Sequence, residues 1–527
     1  MWYKVWALIA LNILFFGRTL AYGMIIDDIA AFNEQDKLRT ENFWTNLWLQ
    51  FKQAYSESPA LGHLFNIVVH TLNTVLVYFL FGQTDIAFLT AVLFCINPVG
   101  NMASTWLSGR TYAVATTLIL LGFTFPLLFF VVYPITFAWS ISTILAPLLF
   151  VFGEYKVLIL LLPVVAYFAR RRYLDTIKLR INTVSPVMKK FEFRKIILVF
   201  KTFAYYFILC MFPFKLGMCH TYLHTFGLSD KETEPWFKLD KFFFLGIILM
   251  ALIALCVVNM GVSFSFGLIW FFIFSIQWCN WIVINHPITE RYMYLANIGL
   301  MYFMASLIIN TPLMWVFLTM YAVLNIKYIP VYRSCLEYWR SNVTNFPEVA
   351  IGYNQYGLEL KAVGQVGTAF DVWLQGRKIR PQDFKINYNI SNLLAEQGRW
   401  DIIKEFVVAT EENICKISNY EFWSTKVKEL KAIVSAHGVN FDLTKEQEEA
   451  IKKDKELRIA IDKKEVDDLN SMVVNPFLHE KFRPEYVEFL QHKYKVKLEG
   501  VQNVNDVQPA TGGSEAKSDT GAGGNTV

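Results

Sequence analysis

The chain has 527 residues, 54% hydrophobic and 16% aromatic but only 18% charged, with a mean hydropathy of +0.35. A soluble protein of this length carries more charge, so an ordinary soluble enzyme is excluded. The net charge of +5 is modest, and no nucleic-acid partner is expected.

The apolar residues are blocked into long runs as far as about Asn325, and ordinary polar sequence follows. That distribution describes an all-α, polytopic membrane helix bundle with a soluble C-terminal part. The N-terminus carries Lys4 and an apolar run without a small-residue cleavage site before Asp27, so it reads as a retained first span. The exit of that span, Met24-Ile25-Ile26-Asp27-Asp28-Ile29, sets two adjacent carboxylates where an apolar helix meets water. Polar residues Asn33 to Lys37 follow. Phe43, Leu47 and Phe51, with Trp44 and Trp48 beside them, then form one wide aromatic face, the pattern of a helix lying in the bilayer interface. The pair Asp27/Asp28 is either a functional site under that aromatic roof or a solvated helix end.

About eleven spans can be drawn, near 4–23, 61–81, 84–100, 110–131, 134–152, 155–169, 193–214, 241–259, 262–284, 293–310 and 312–328. The stretch from Arg170 to Lys195 holds the densest basic cluster beside a span, which by the positive-inside rule is cytoplasmic. Counting outward places Asp27/Asp28, the loops around 97–110, 153–154, 215–240 and 285–297, and the C-terminal part outside the cytoplasm. Those loops carry most of the remaining polar residues. Arg110 and Glu154 stand at span rims, and His286 to Tyr294 packs Glu290, Arg291, Tyr292 and Tyr294 into one turn. Within the second span His63, Asn66, His70 and Asn73 fall on one stripe, as expected for interhelical hydrogen bonding. The seven cysteines show neither CxxC nor other metal spacing, so neither a disulfide framework nor a metal site is expected.

From about Pro347 the chain turns soluble. Gly364 and Gly398 stand 34 residues apart, as do Pro347 and Pro381, the period of a tetratricopeptide repeat. Two such repeats span Gly357 to Cys415, and a third helical pair is expected over Tyr420–Ala436. Thr444-Lys445-Glu446-Gln447 reads as a capping box opening a charged helical extension over 441–500. Residues 501–527 read as a disordered tail. The expected organisation is therefore a membrane domain over 1–330 and a tetratricopeptide-like domain over 331–440. Asn342-Val343-Thr344 and Asn389-Ile390-Ser391 are sequons usable only in a eukaryotic lumen.

The acid pair in Met24–Lys37 followed by His63-x-x-Asn66-x-x-x-His70-x-x-Asn73 resembles the first loop and second span of the transmembrane-and-TPR O-mannosyltransferases. These belong to the multi-span (GT-C type) glycosyltransferases that use polyprenyl-phosphate sugars. Asn97-Pro98-Val99 with Gly109-Arg110, Glu154, and Glu290-Arg291-Tyr292-Met293-Tyr294-Leu295 are similar to further motifs of that family. The likeness covers roughly residues 1–420. The chain departs from it where the family has Tyr-Arg-Pro-Leu, here Tyr55-Ser56-Glu57-Ser58-Pro59, and at Thr111 and Gly153, where the family has an acid and a lysine.

The resemblance implies an inverting transfer of one sugar from a polyprenyl-phosphate carrier to an acceptor, a protein serine or threonine, at the extracytoplasmic face of a bacterial inner membrane or ER-type membrane. Asp27 would be the general base and Asp28 its partner, with Arg110 and Arg291 at the donor phosphate. Glu154, Glu290, Tyr292 and Tyr294 would shape the sugar pocket, and the tetratricopeptide part would hold the polypeptide. Beyond the lipid-linked donor no cofactor is called for, and a divalent metal has no support. Two other classes fit parts of the sequence: a membrane-anchored TPR scaffold, and a transporter or flippase for a lipid-linked glycan. The number of spans weighs against the first, and the absence of charge pairs at mid-membrane against the second.

Overall fold

The structure, a computed structural model, describes residues 2–26, 28, 58–139, 141–152, 155–162, 193–218, 220, 234–280, 287–414, 420–439 and 441. The acid Asp27, the interfacial helix expected over 43–51, nearly all of the basic Arg170–Lys195 stretch, Glu154, His286, the 441–500 extension and the 501–527 tail lie outside the described residues. Met1–His437 forms one compact unit. Almost all of the second, Gly438–Val527, is outside the description.

Among the described residues the chain is helical throughout. The membrane half consists of α1 (Trp2–Phe16), α2 (Pro59–Leu80), α3 (Asp85–Ile96), α4 (Arg110–Thr124), α5 (Pro126–Trp139), α6 (Lys195–Met211), α7 (Lys241–Ile276), α8 (Tyr294–Ile308) and α9 (Leu313–Tyr328). Local chemistry fixes many of the ends. Thr84 caps α3 by accepting from the Ala87 amide at 3.1 Å. Asn97 precedes Pro98, which disfavours further α backbone, so α3 stops there. Asp240 caps α7 by accepting from Phe242 and Phe243, and the buried Lys201 ammonium holds that aspartate at 2.8 Å.

Four helical stretches are long and apolar enough to cross a membrane: Trp2–Ala21, Pro59–Leu80, Lys241–Val262 and Leu313–Arg333. A fifth is reached by joining Asp85–Ile96 to Pro98–Ser104 across a 54° bend. The expectation of eleven spans is corrected on this point. Helices of 14 to 17 residues such as α4, α5, α6 and α8 reach only roughly 21–26 Å, short of a hydrocarbon core of about 30 Å. Of the spans expected over 134–152 and 155–169, only residues 134–139, the end of α5, and 161–162 are α-helical where described. Short 3₁₀ segments occupy Ile141–Thr143, Ala146–Phe152 and Lys156–Leu160, and Pro147 removes a backbone donor. The two spans expected over 241–259 and 262–284 correspond to two helical halves of α7 that meet at Gly261 with φ +77°. The first, Lys241–Val262, is long enough to cross and the second, Phe264–Ile276, is shorter.

Two close approaches lock the bundle. Gly267 of α7 and Gly299 of α8 face each other so tightly that an added Cβ at either would lie within 2.6 Å of the other helix. Small residues at such crossings let helix backbones touch, the usual packing device inside a membrane. The outgoing ends of α1 and α9 also meet. The Arg18 guanidinium donates to the Asn325 and Ile326 carbonyls at 3.3 and 3.1 Å, and the Ile26 amide donates to Cys335 Sγ at 3.3 Å. The loop after α1 and the start of the C-terminal part therefore sit at the same end of the bundle.

Beyond α9 come α10 (Cys335–Asn345), α11 (Ala350–Ala362), α12 (Val366–Ile379), α13 (Phe384–Glu396), α14 (Trp400–Asn413) and α15 (Tyr420–Ala436). The pair α11–α12 recurs as α13–α14 with a spacing of 34 residues. Gly364 and Gly398 end the first helix of each pair at φ +81° and +66°, a left-handed cap that suits glycine. Gly357 meets the Trp373 ring where no Cβ would fit. Asp383 caps α13 by accepting from Ile386 at 3.1 Å.

Candidate functional site

The loop leaving α1 carries a strained residue immediately before the acid pair. Ile26 has φ +51°, a conformation that a β-branched side chain adopts at a cost of about 1–3 kcal/mol. Its neighbours hold it there. The Asp28 amide donates to the Ile25 carbonyl at 3.0 Å, and the Ile25 amide donates to Asp28 Oδ2 at 3.2 Å. Asp28 Oδ1 accepts from the Ser108 amide at 2.8 Å and from the Ser108 hydroxyl. Asp28 is buried, and burial pushes its carboxyl above the ordinary value against the Ser108 and Ile25 hydrogen bonds and the Arg110 charge, which favour the ionised form. Both carboxylate oxygens thus face donors from the protein itself. Asp28 fixes the loop rather than offering a lone pair to a substrate.

Ser108 belongs to the short turn Leu107–Gly109 that opens α4. Gly109 is obligatory in this turn, because a Cβ there would meet the Met102 carbonyl oxygen at 2.0 Å. The turn delivers Arg110 inward, where Nε donates to the Leu107 carbonyl at 2.8 Å and the guanidinium lies over the Phe65 ring. One residue before the turn, the Trp106 indole donates to the Ile25 carbonyl at 3.4 Å, and its ring faces the Arg291 guanidinium at 5.3 Å. Tyr112 and Tyr292 close on Arg291 at 5.9 and 5.6 Å, and Tyr292 is stacked on Trp278 at 4.0 Å. Arg291 is only 9% exposed, and among the described residues it has no ion pair with a carboxylate. The acid loop, Arg110 and the caged Arg291 are therefore joined through Trp106 into one rim.

The other expected residues divide. Glu290, adjacent to Arg291 in the same 3₁₀ turn, faces away from the cage. Its Oε1 accepts from the Gly217 amide at 2.7 Å and from His220 Nε2 at 3.0 Å, while His220 Nδ1 lies 2.9 Å from the Tyr205 hydroxyl. Tyr294 lies deeper, in the polar stripe of α2. Its hydroxyl donates to His70 Nδ1 at 2.6 Å and accepts from Asn73 at 3.2 Å, which leaves His70 Nε2 to donate to the Cys95 carbonyl. The rest of the stripe bonds the surroundings of α2. His63 meets the Gly23 carbonyl, Asn66 donates to Trp106, and Asn73 donates to Ala113 and accepts from Thr117. These bonds tie α2 to the loop after α1, the Trp106 segment, α3, α4 and α8, which is a structural use of the stripe. Asp27 and Glu154 lie outside the described residues.

Sequence reasoning missed Trp106, Ser108, Tyr112, Trp278 and His220, and read Asn342 only as part of a sequon. Trp106 and Tyr112 flank Gly109-Arg110, and an aromatic on either side of a buried arginine is a signal that could have found them. His220 stands in a stretch with no periodicity and could not have been singled out. The sequon at Asn342 is closed. That residue is 2% exposed, its amide donates to the Tyr338 carbonyl, and its oxygen accepts from the Met218 amide. Asn389 likewise donates to Asn354, and Ser391 is buried. Among the described residues no group of three or more His, Cys, Asp or Glu side chains could hold a metal ion.

Compared with known proteins, the chain matches no family model, no curated protein and no solved structure.

Proposed function

We propose that the protein is an inverting glycosyltransferase that moves one sugar from a polyprenyl-phosphate carrier to an acceptor hydroxyl, of a protein serine or threonine, at the extracytoplasmic rim of the membrane. The observation that carries this reading is the caged Arg291. A buried guanidinium needs an anion to offset its desolvation, and Trp106 sets it beside the acid loop at Ile25–Asp28. A buried cation to take the phosphate and a general base beside it, at one rim of a membrane bundle, are what a phosphate-linked lipid donor requires.

In the proposed reaction Asp27 takes the proton of the acceptor hydroxyl as its oxygen attacks the anomeric carbon. The bond from that carbon to the phosphate oxygen breaks with inversion. The charge gathering on the leaving phosphate is stabilised by Arg291 and Arg110. Asp28, occupied by Ser108 and Ile25, orients the loop that carries Asp27. Tyr292 and Glu154 remain assigned to the sugar, whereas Tyr294 is reassigned to the hydrogen-bonded stripe. The 34-residue helical pairs are read as tetratricopeptide-like repeats that hold a polypeptide acceptor.

The test is incorporation of radiolabelled sugar from polyprenyl-phosphate donors by the purified full-length protein. Wild type should transfer label, and Asp27→Asn should lose roughly 10²–10⁴-fold in rate with unchanged thermal unfolding. Transfer at the wild-type rate by Asp27→Asn would remove the base assignment. No transfer by wild type from any such donor would remove the glycosyltransferase reading.

A further inference from the structure

One segment of the site is held from two sides. Residues Phe212 to Met218, with His220, leave the end of α6 and are squeezed between the Glu290–Met293 turn and helix α10. From the first side, Glu290 Oε1 accepts from the Gly217 amide at 2.7 Å and from His220 Nε2 at 3.0 Å. From the second, Asn342 accepts from the Met218 amide at 2.9 Å, and Asn345 donates to the Leu216 carbonyl at 2.8 Å. The Phe346 ring lies 4.7 Å from the His220 ring. The Tyr328 hydroxyl, at the end of α9, donates to the Phe214 carbonyl.

The residues making these contacts are buried: Glu290 and His220 are each 1% exposed and Asn342 is 2% exposed. Buried hydrogen bonds are not exchanged freely for water, so shifting one partner strands the other at a cost. Gly217 also leaves no slack. A Cβ there would lie 2.6 Å from Asn342 Oδ1. Tyr338 of α10 also lies near enough to Arg291 to bear on its charge.

We propose that Asn342 and His220 are positioning residues through which α10, the first helix after the last long span, sets the Glu290–Arg291 turn. The part of the chain that leads into the helical pairs would thus be a structural member of the site, and not a tether hung from it. This deepens the reading of Arg291 as a donor-phosphate contact and rests on it for its consequence in catalysis. The mechanical link between α10 and the turn stands independently. The asparagines and the histidine touch no reacting atom. Their effect reaches the chemistry only through the placement of Arg291.

The test perturbs one end and reads the other. Full-length protein in nanodiscs is compared by backbone hydrogen exchange for wild type, Asn342→Leu, His220→Ala and His220→Gln. The glutamine amide can reproduce the Nε2 donor to Glu290, so His220→Gln is the rescue variant. In Asn342→Leu and His220→Ala, peptides covering 287–294 should exchange about tenfold faster or more, as for loss of one buried hydrogen bond, although the hydrogen bonds of Asn342 go to Met218 and Tyr338. In His220→Gln they should stay near wild type. Faster exchange at 214–219 alone, with 287–294 unchanged in Asn342→Leu, would overturn the coupling.

Should Asn342→Leu not fold, Asn345→Ala loosens the same segment from the same helix and is read in the same way. The activity arm follows. Asn342→Leu and His220→Ala should raise the donor KM about tenfold, with a smaller change in kcat, and His220→Gln should restore it. Exchange that behaves as expected, while wild type transfers no sugar, would sink the function proposed above and leave the coupling standing. Wild-type transfer with an unaltered donor KM in both disruptive variants would overturn the positioning role.

Discussion

Replacing Asp28 by alanine removes both oxygens that fasten the acid loop to the turn before α4. The Ser108 amide and hydroxyl and the Ile25 amide lose their acceptor together. Hydrogen bonds to a charged group contribute about 1.5–3 kcal/mol, and a stranded buried donor costs about 1–3 kcal/mol. One of each gives a loss of about 2.5–6 kcal/mol. Relief of the carboxylate's desolvation, visible in its upward-shifted carboxyl, returns part of that. A net destabilisation of about 2–3 kcal/mol is expected. Asp28→Asn keeps an oxygen for Ser108 but turns an amide donor toward the Ile25 amide, and should cost about 1–2 kcal/mol. The sign of the pH dependence follows from the direction of the shift. A carboxyl raised by burial contributes stability fully below its unfolded value and loses it as pH rises through the folded value. The stability advantage of wild type over Asp28→Asn should therefore shrink as pH rises from the ordinary carboxyl range through the raised folded value. Thermal unfolding in nanodiscs across that range, with hydrogen exchange at the Ser108 amide, measures both effects. An advantage that grows with pH would show that the hydrogen bonds, and not burial, govern this carboxyl. An unaltered Ser108 amide in Asp28→Ala would refute the fastening itself.

Arg291→Ala and Arg110→Ala should each weaken apparent donor affinity by about 1.5–3 kcal/mol, read as donor KM in the incorporation assay. Saturation at wild-type concentrations would take them out of the phosphate site. Asn73→Leu breaks bonds to Ala113, Tyr294 and Thr117 and should lower stability by about 0.5–2 kcal/mol without moving donor KM. A changed KM would give the stripe a part in binding. Cysteines placed at the exposed Gly23 and Gly398 should react with an impermeant reagent from the same side of sealed vesicles. Labelling from opposite sides would contradict the meeting of the outgoing ends of α1 and α9.

Much of this architecture is written in local patterns. The 34-residue glycine period gave the helical pairs because the left-handed cap at Gly364 and Gly398 is a backbone requirement carried by one residue type. The stripe from His63 to Asn73 read as interhelical glue because its spacing is a helix face. The span count was not legible. Apolar runs over 134–152 and 155–169 look alike whether they form one α-helix or short 3₁₀ turns, and hydropathy does not register where Pro147 removes a donor. The rim was half legible. Arg110 and Glu290-Arg291 stood out as charges among apolar residues. The partner of Asp28 is Ser108, 80 residues away, and the partner of Glu290 is His220, 70 residues away. Pairings at that distance depend on how helices pack, which no local spacing encodes.

The bonds from Arg18 to Asn325 and Ile326 have a consequence in time. They join residues 307 and 308 positions apart, and the Ile26 to Cys335 contact spans 309. During synthesis at roughly 5–20 residues per second, the first helix would wait on the order of 15–60 s for the partner that secures its outgoing end. Throughout that interval the acid loop lacks its anchor at Cys335. A nascent chain halted anywhere before α10 would thus hold an uncompleted rim, and competence would arrive in a single late step. Truncations from the C-terminus should leave the rim assembled down to α11 and lose it abruptly once α10 is removed, whatever becomes of acceptor binding by the helical pairs.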